Sequence, residues 1–137
     1  MDTVWHAFWA YVIFRKKKFL PLAAAGAILP DTMNLLAVGY NFLVYGFKWD
    51  VYVAPQMPKS ALLFNSFSHS MAVILLLGFV AFMLHKKIVP FFYGAGFHAV
   101  MDYATHHSDA YTPFFPFSSW KLVSPVSYWE TAYHSRI

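Results

Sequence analysis

His98, Asp102 and His106 follow one another at four-residue steps in the apolar stretch from Gly96 to His106. On a helix all three side chains would leave from one face. Two imidazoles and a carboxylate in that arrangement are ligands for a divalent metal ion. In an apolar segment such groups are costly unless they are paired or bind an ion. Three more groups of the same kind stand in apolar surroundings: His6 between Trp5 and Trp9, Asp31 after Pro30, and His69 between Ser68 and Ser70. Each has a simpler reading. His6 would serve as an interfacial histidine, Asp31 as the N-cap of a helix starting at Thr32, and His69 as a structural hydrogen-bonding group. His106, His107 and Asp109 lie where the helix should end and read equally as surface groups or as partners of a site. Glu130 and His134, also four apart, read as a supporting pair or a solvated one. The chain has no cysteine, so any ion must be held by nitrogen and oxygen alone.

The elements that position these groups belong to a membrane protein. Hydrophobic residues make up 59% of the chain and charged residues 12%, with a mean hydropathy of +0.47, far from the balance of an ordinary soluble domain. A chain of 137 residues has room for a single membrane-embedded helical domain, 1–137. Its formal charge of +4 is concentrated in two runs, Arg15 to Lys18 and Lys86-Lys87, a pattern that suits membrane topology and not direct nucleic-acid binding. The first run follows the apolar stretch Val4 to Phe14 instead of preceding it, so a cleaved signal peptide is not expected. No repeat or low-complexity tract stands out.

Hydropathy predicts an all-α fold, a small integral membrane bundle of about three spans with an N-terminal partial span and an ordered C-terminal surface segment. Val4 to Phe14 is too short to cross a bilayer. Phe19 to Val38 is long enough, with a kink or break at Pro30 and Asp31. Gly39 to Ser60 reads as an interfacial loop with room for a short helix, Leu62 to Leu84 as the clearest span and Ile88 to Thr105 as a further one. His106 to Ile137, rich in Pro, Ser and aromatics, should lie over the membrane face. With both basic runs in the cytoplasm, a helical rise of about 1.5 Å per residue puts His6 roughly 14 Å, Asp31 about 20 Å, His69 about 25 Å, His98 about 17 Å and Asp102 about 23 Å above the cytoplasmic edge. These levels form one band in the middle to outer part of the membrane, as a single site facing the extracytoplasmic side requires.

His6, then Gly26-Ala-Ile-Leu-Pro-Asp31 with Asn34, then Ser68-His69-Ser70, then Gly96-Phe-His98-x-x-x-Asp102 with Thr105, resembles the YdjM-like inner-membrane metal-dependent hydrolases, also described as LexA-binding inner-membrane-associated hydrolases. The order and spacing cover most of the chain, and Thr105 to Ala110 and Trp120 to Trp129 resemble the tail of a subgroup. That family is distantly similar to helical zinc-dependent phospholipase C and nuclease enzymes, which use clustered His and Asp ligands. Its Pro-Asp segment often continues with a second acid, where this chain has Thr32, Met33 and Asn34, which leaves one or two ions open. The resemblance implies a multi-pass protein of the inner (cytoplasmic) membrane acting on a lipid phosphoester or another amphiphilic ester.

On this reading His69, His98 and Asp102 are metal ligands, and His6 and Asp31 serve the same or a second ion. His106, His107 or Asp109 would shuttle a proton or orient the site. Zinc is the first expectation, with manganese or iron compatible with an all-nitrogen-and-oxygen ligand set. No Gly-x-Ser-x-Gly elbow, P-loop or dinucleotide fingerprint is present, so metal-activated water is the expected nucleophile. The expected partners are the bilayer and an amphiphilic or lipid-linked substrate, with an oligomer compatible. Two other classes stand beside the hydrolase: a non-catalytic metal-binding or transport protein, and a membrane regulatory or interaction protein, where the LexA association implied by the resemblance belongs.

Overall fold

The computed structural model describes residues 3–46 and 57–133, and within them the regular structure is helical. Among the described residues six α-helices follow one another: α1 (Thr3–Phe14), α2 (Leu20–Ile28), α3 (Thr32–Tyr45), α4 (Lys59–Ser68), α5 (Met71–Leu84) and α6 (Val89–Thr105), with short 3₁₀ turns at Leu29–Asp31, Lys86–Ile88 and Thr131–Tyr133. As far as Tyr133 the chain after α6 continues without an α-helix.

Local chemistry sets the boundaries. Pro21 and Pro90 fall in the first turns of α2 and α6, where the missing amide hydrogen costs nothing. Pro30 cannot continue the α2 ladder, and the chain passes it in the 3₁₀ turn Leu29–Asp31 before α3 resumes. α3 runs through Gly39 and Tyr40 as far as Tyr45, ending at Gly46 with φ +70°, a conformation suited to glycine. The loop expected from Gly39 is therefore helix up to that point. One glycine costs a helix about 1 kcal/mol, too little by itself to end the apolar run that continues to Tyr45. The rest of that expected loop includes residues 47–56, outside the described residues.

Leu62 to Leu84, expected as one span, is two helices. α4 and α5 meet at 66° across His69 and Ser70. Ser70 has extended backbone and caps α5, its Oγ accepting from the Val73 amide; the serine that made the segment look slightly polar is a helix start. Among the described residues, the run Leu20–Tyr45 is long and apolar enough to cross a membrane, and the bent pair α4 and α5 would make a second crossing if counted as one. α6 stops at 17 residues. Of the three spans read from hydropathy, the first is present as a run of that length carried through the 3₁₀ turn at Pro30, the second is bent, and the third is a single helix at the expected place but shorter.

α2 and α6 form the centre of the bundle. Ala23 lies against Gly94, Ala27 against His98 and Asp31 near Asp102, so the two helices run parallel with a constant register. Their backbones touch: a Cβ added to Gly94 would fall 1.8 Å from the Ala23 carbonyl oxygen, and one added to Gly26 would fall 1.8 Å from that of Phe91. Only glycine permits such an approach. α1 folds back along α2, and α5 packs antiparallel to α6 around Ile74, Ala95 and Ala99.

The distribution of side chains is inverted relative to a water-soluble domain. The largest fully buried side chains are His6, His69, His98, Asp102, Pro30, Ser70 and Ser127. The apolar core is mostly alanine, while Leu43, Leu75, Leu77, Phe79, Met83 and Leu84 face outward.

Candidate metal centre

Every group in the cluster is placed by the end of a helix or by the α2 and α6 contact. Asp31 closes the 3₁₀ turn that Pro30 imposes. It occupies the N-cap position of α3, but its side chain makes no capping bond; it accepts instead from Thr3 Oγ1 at 2.7 Å and Asn34 Nδ2 at 3.4 Å. The capping role expected as one alternative is therefore not filled. His69 is the first residue past α4, and the break there turns its ring inward. Tyr103 holds the break: its hydroxyl donates to the His69 carbonyl and accepts from the Met71 amide. His98 and Asp102 project from one face of α6 toward α2.

Four donor atoms converge. His69 Nε2 and His98 Nε2 are 3.1 Å apart. Asp102 Oδ2 lies 3.2 Å from the first and 3.1 Å from the second, and Asp31 Oδ1 lies 3.7 and 3.8 Å from them. All four residues are buried and their ligand atoms fall within 4.8 Å of one another. Donors held tetrahedrally at zinc distances of about 2.0–2.1 Å are separated by about 3.3–3.4 Å, the middle of this range.

Proton positions explain why the arrangement asks for a cation. His69 Nδ1 faces the Asn65 carbonyl at 2.9 Å and His98 Nδ1 faces the Ala27 carbonyl at 2.7 Å. A carbonyl only accepts, so both Nδ1 atoms carry hydrogen, and in the neutral imidazoles both Nε2 atoms present lone pairs. Those lone pairs point at each other and at two carboxylates. A proton on one Nε2 satisfies one contact and leaves the opposing lone pair and second carboxylate facing it, whereas a divalent ion meets all four donors together. Anchoring of the distal ring nitrogen on a backbone carbonyl is also how metal-binding histidines are usually oriented.

The second oxygen of Asp102 serves other imidazoles. Asp102 Oδ1 is 2.9 Å from His6 Nε2 and 3.3 Å from His106 Nε2. The His6 ring stacks on that of His98, centroids 3.8 Å apart, and its approach to Asp102 is close but off the hydrogen-bond axis; its buried Nδ1 has no hydrogen-bond partner among the described residues. His106 lies between two carboxylates, its Nδ1 2.7 Å from Asp109 Oδ2. Burial opposes a charge on His106, but Asp102 and Asp109 outweigh it and raise its pKa; Asp109, also opposed by burial, is held low by His106.

The structure thus brings His6, Asp31, His69, His98, Asp102 and His106 together, with Asp109 attached through His106 and reaching the surface. It does not bring His107 to the cluster: Nδ1 of His107 is 2.6 Å from the Ser124 carbonyl and its ring stacks on Tyr133 at 3.5 Å. Glu130 accepts from the Ser108 amide, and the suggested pairing with His134 lies outside the described residues.

Sequence reasoning passed over three contributors: Thr3 on Asp31, Tyr103 at the helix break, and Tyr111. The Tyr111 ring lies parallel to His69, centroids 4.1 Å apart with 2° between planes. Burial first, and then the neighbouring carboxylates, push the Tyr111 hydroxyl pKa upward, keeping it protonated. None of the three carries a spacing signal, because each reaches the cluster only through tertiary folding. The chain after α6 is stitched over this end of the bundle by Ser124 N to the His106 carbonyl, Tyr128 N to the Thr105 carbonyl, and Ala72 N to the Pro113 carbonyl.

Neither a family model, nor a curated protein, nor a solved structure matches the chain. The buried His and Asp cluster has a geometry that could hold a metal ion.

Proposed function

We propose that the chain is a membrane-embedded metal-dependent hydrolase acting on an amphiphilic ester, with a lipid phosphoester as the leading class. The observation that carries this reading is the convergence of His69 Nε2, His98 Nε2, Asp31 Oδ1 and Asp102 Oδ2 with both imidazoles fixed as acceptors. A divalent ion held there, zinc first and manganese or iron next for this donor set, supplies a Lewis acid and a water of lowered pKa.

The residues around the cluster fit the remaining needs of hydrolysis. Asp102 orients His106, and Asp109 holds the proton on His106 Nδ1 at 2.7 Å, giving a proton a short route from the buried carboxylate to solvent. The Tyr111 hydroxyl stays protonated and can donate to an anionic oxygen beside His69. Thr3 and Asn34 hold Asp31 in place. The outward-facing leucines and phenylalanines around the polar centre support placement in a bilayer, and the long run Leu20–Tyr45 supports at least one crossing. The multi-pass inner-membrane arrangement, with the cluster toward the extracytoplasmic side, is part of the same proposal. The resemblance to YdjM-like hydrolases is kept with it.

A transport role fits less well. Directly between the cluster and the basic turns, Gly26 and Gly94 let the backbones of α2 and α6 touch, and below Ala27 and His98 the two helices carry no charged or amide side chain to mark a path for an ion, Tyr93 being exposed on the outer surface.

The test is metal analysis of the purified protein with hydrolysis of lipid phosphoesters, repeated for His98→Ala. Stoichiometric metal and activity lost together in the variant are expected. Metal without hydrolysis of any phosphoester or carboxylic ester would leave a binding protein. A wild type that takes up no zinc, manganese or iron would end the proposal.

A further inference from the structure

The end of the bundle opposite the cluster has a feature that the hydrolase reading does not use. Because α2 and α6 run parallel in register, the turn after α1 and the turn after α5 come to the same end, although about 70 residues separate them in the chain. Arg15, Lys16, Lys17 and Lys18 stand in the first turn and Lys86 and Lys87 in the second, and all six are exposed. Sequence shows two separate basic runs; the fold makes them one surface.

Among the described residues no acid compensates that surface. The six acidic residues of the chain are Asp2, Asp31, Asp50, Asp102, Asp109 and Glu130. Asp31 and Asp102 belong to the far end, about 20 Å away by helix rise, and Asp109 and Glu130 follow α6 beyond it. Among the described residues none of the six cations has an acidic partner.

Directly beside the cations the surface turns apolar. Ile13, Phe82, Met83, Leu84, Ile88 and Tyr93 are exposed around the same end. The Lys86 ammonium lies 5.0 Å over the Phe82 ring, its stem following the apolar surface while its charge stays at the rim. A crown of positive charge above an apolar belt matches the boundary between anionic headgroups and acyl chains. A nucleic acid, hydrated along its whole phosphate backbone, would leave that belt facing water.

We infer that the two basic turns together form a binding surface for anionic phospholipid headgroups, with phosphatidylglycerol-type lipids as its partners. The two turns act jointly, so each contributes only while α2 and α6 keep their contact. This surface is independent of the metal centre and of any catalytic role.

The experiment is native mass spectrometry of the full chain released from mild non-ionic detergent containing equimolar phosphatidylglycerol and phosphatidylcholine of the same acyl composition. With roughly a five-fold preference per cation near an anionic surface, the wild type should retain phosphatidylglycerol at least about ten-fold over phosphatidylcholine. Arg15→Gln/Lys16→Gln/Lys17→Gln/Lys18→Gln and Lys86→Gln/Lys87→Gln should each reduce that ratio, and their combination, which removes all six charges, should bring it close to unity. Salt at about 0.5 M should flatten it in the wild type. Lys→Arg versions of the same sets, which keep the charge, should retain the preference and separate loss of charge from loss of fold. Parallel titrations use glycerol phosphate and a single-stranded oligonucleotide, both expected to bind far more weakly than the lipid. Equal retention of the two lipids, a preference that survives the combined Gln variant, or tighter binding of the oligonucleotide or the free phosphate would each overturn the inference.

Discussion

Asp102→Asn is the sharpest perturbation of the proposed centre. The amide is nearly isosteric with the carboxylate, so packing between α2 and α6 is retained while one negative charge and one anionic ligand are lost. Asp102 Oδ2 lies 3.2 and 3.1 Å from the two acceptor nitrogens of His69 and His98, the position of a ligand and not of a supporting group. Structural zinc sites bind with about 10–16 kcal/mol shared among four ligands, or roughly 3 kcal/mol each, and each 1.4 kcal/mol is tenfold in affinity. Asp102→Asn should therefore weaken zinc binding by about 10²–10³-fold. Competition against a chromophoric chelator in detergent measures this directly. Thermal unfolding gives an independent readout: zinc at about 100 times its dissociation constant should stabilise the wild type by about 2.7 kcal/mol, a shift that disappears in the variant at the same zinc concentration. Asp109→Asn is the control, since Asp109 touches the cluster only through His106 and should change zinc affinity less than tenfold. Wild-type zinc affinity in Asp102→Asn, with the fold intact by circular dichroism, would refute the ligand assignment.

Other outcomes follow from single contacts. Gly94→Ala places a methyl group where the Ala23 carbonyl oxygen stands 1.8 Å away, so the helices must separate; a loss of about 2–3 kcal/mol or failure to accumulate folded protein is expected by thermal unfolding and expression level. Tyr103→Phe removes both hydrogen bonds at the His69–Ser70 break and should cost about 1–3 kcal/mol in unfolding experiments, with weakened zinc binding because His69 is no longer held. Asp109→Asn removes one of the two carboxylates that raise the His106 pKa; the His106 imidazole should then lose its proton at lower pH than in the wild type, read by NMR titration of the metal-free protein. Tyr111→Phe keeps the ring stacked on His69 and should leave zinc affinity within about two-fold while lowering hydrolysis, whereas an equal loss of both would make Tyr111 a packing residue only.

The candidate residues were legible because polar groups are expensive in apolar segments and so stand out singly. His98 and Asp102 announced themselves by helical spacing, and His69 by its two serines. The mode of use was harder to read. Asp31 looked as much like a cap as a ligand, and only the approach of Thr3 from α1 shows that its carboxylate is turned away from the α3 amides. The hydropathy reading of Leu62 to Leu84 as one span went astray because Ser70 is compatible with a helix interior and a helix start alike; what selects the start is the Pro113 and Phe115 carbonyls that receive its hydroxyl and the tyrosine that receives the Met71 amide. Those partners arrive from more than 30 residues away. His107 differs from His106 by one position in sequence, but past the end of α6 that step turns it to Ser124 and Tyr133 and away from Asp102.

The small residues between the polar ones fix the level at which the site forms. Ala23 and Ala27 on α2 and Asp31 in the turn after it recur at four-residue steps, and Gly94, His98 and Asp102 recur at the same steps on α6. In a parallel pair with constant register, contact of Ala23 with Gly94 at the lower level brings His98 Nδ1 to the Ala27 carbonyl, and one turn higher it brings Asp31 close to Asp102. Slipping the register by one turn would pair His98 with Ala23 or Asp31 and separate the two carboxylates by about 5.4 Å along the axis. The close backbone approach at Gly94 resists that slip, since a one-turn shift would bring the side chain of Pro90 or His98 to the level of Ala23, against a backbone that only glycine can meet. The glycines therefore position the proposed metal centre as surely as the residues that touch it, and Gly94→Ala should reduce zinc affinity together with stability even though Gly94 contributes no ligand atom.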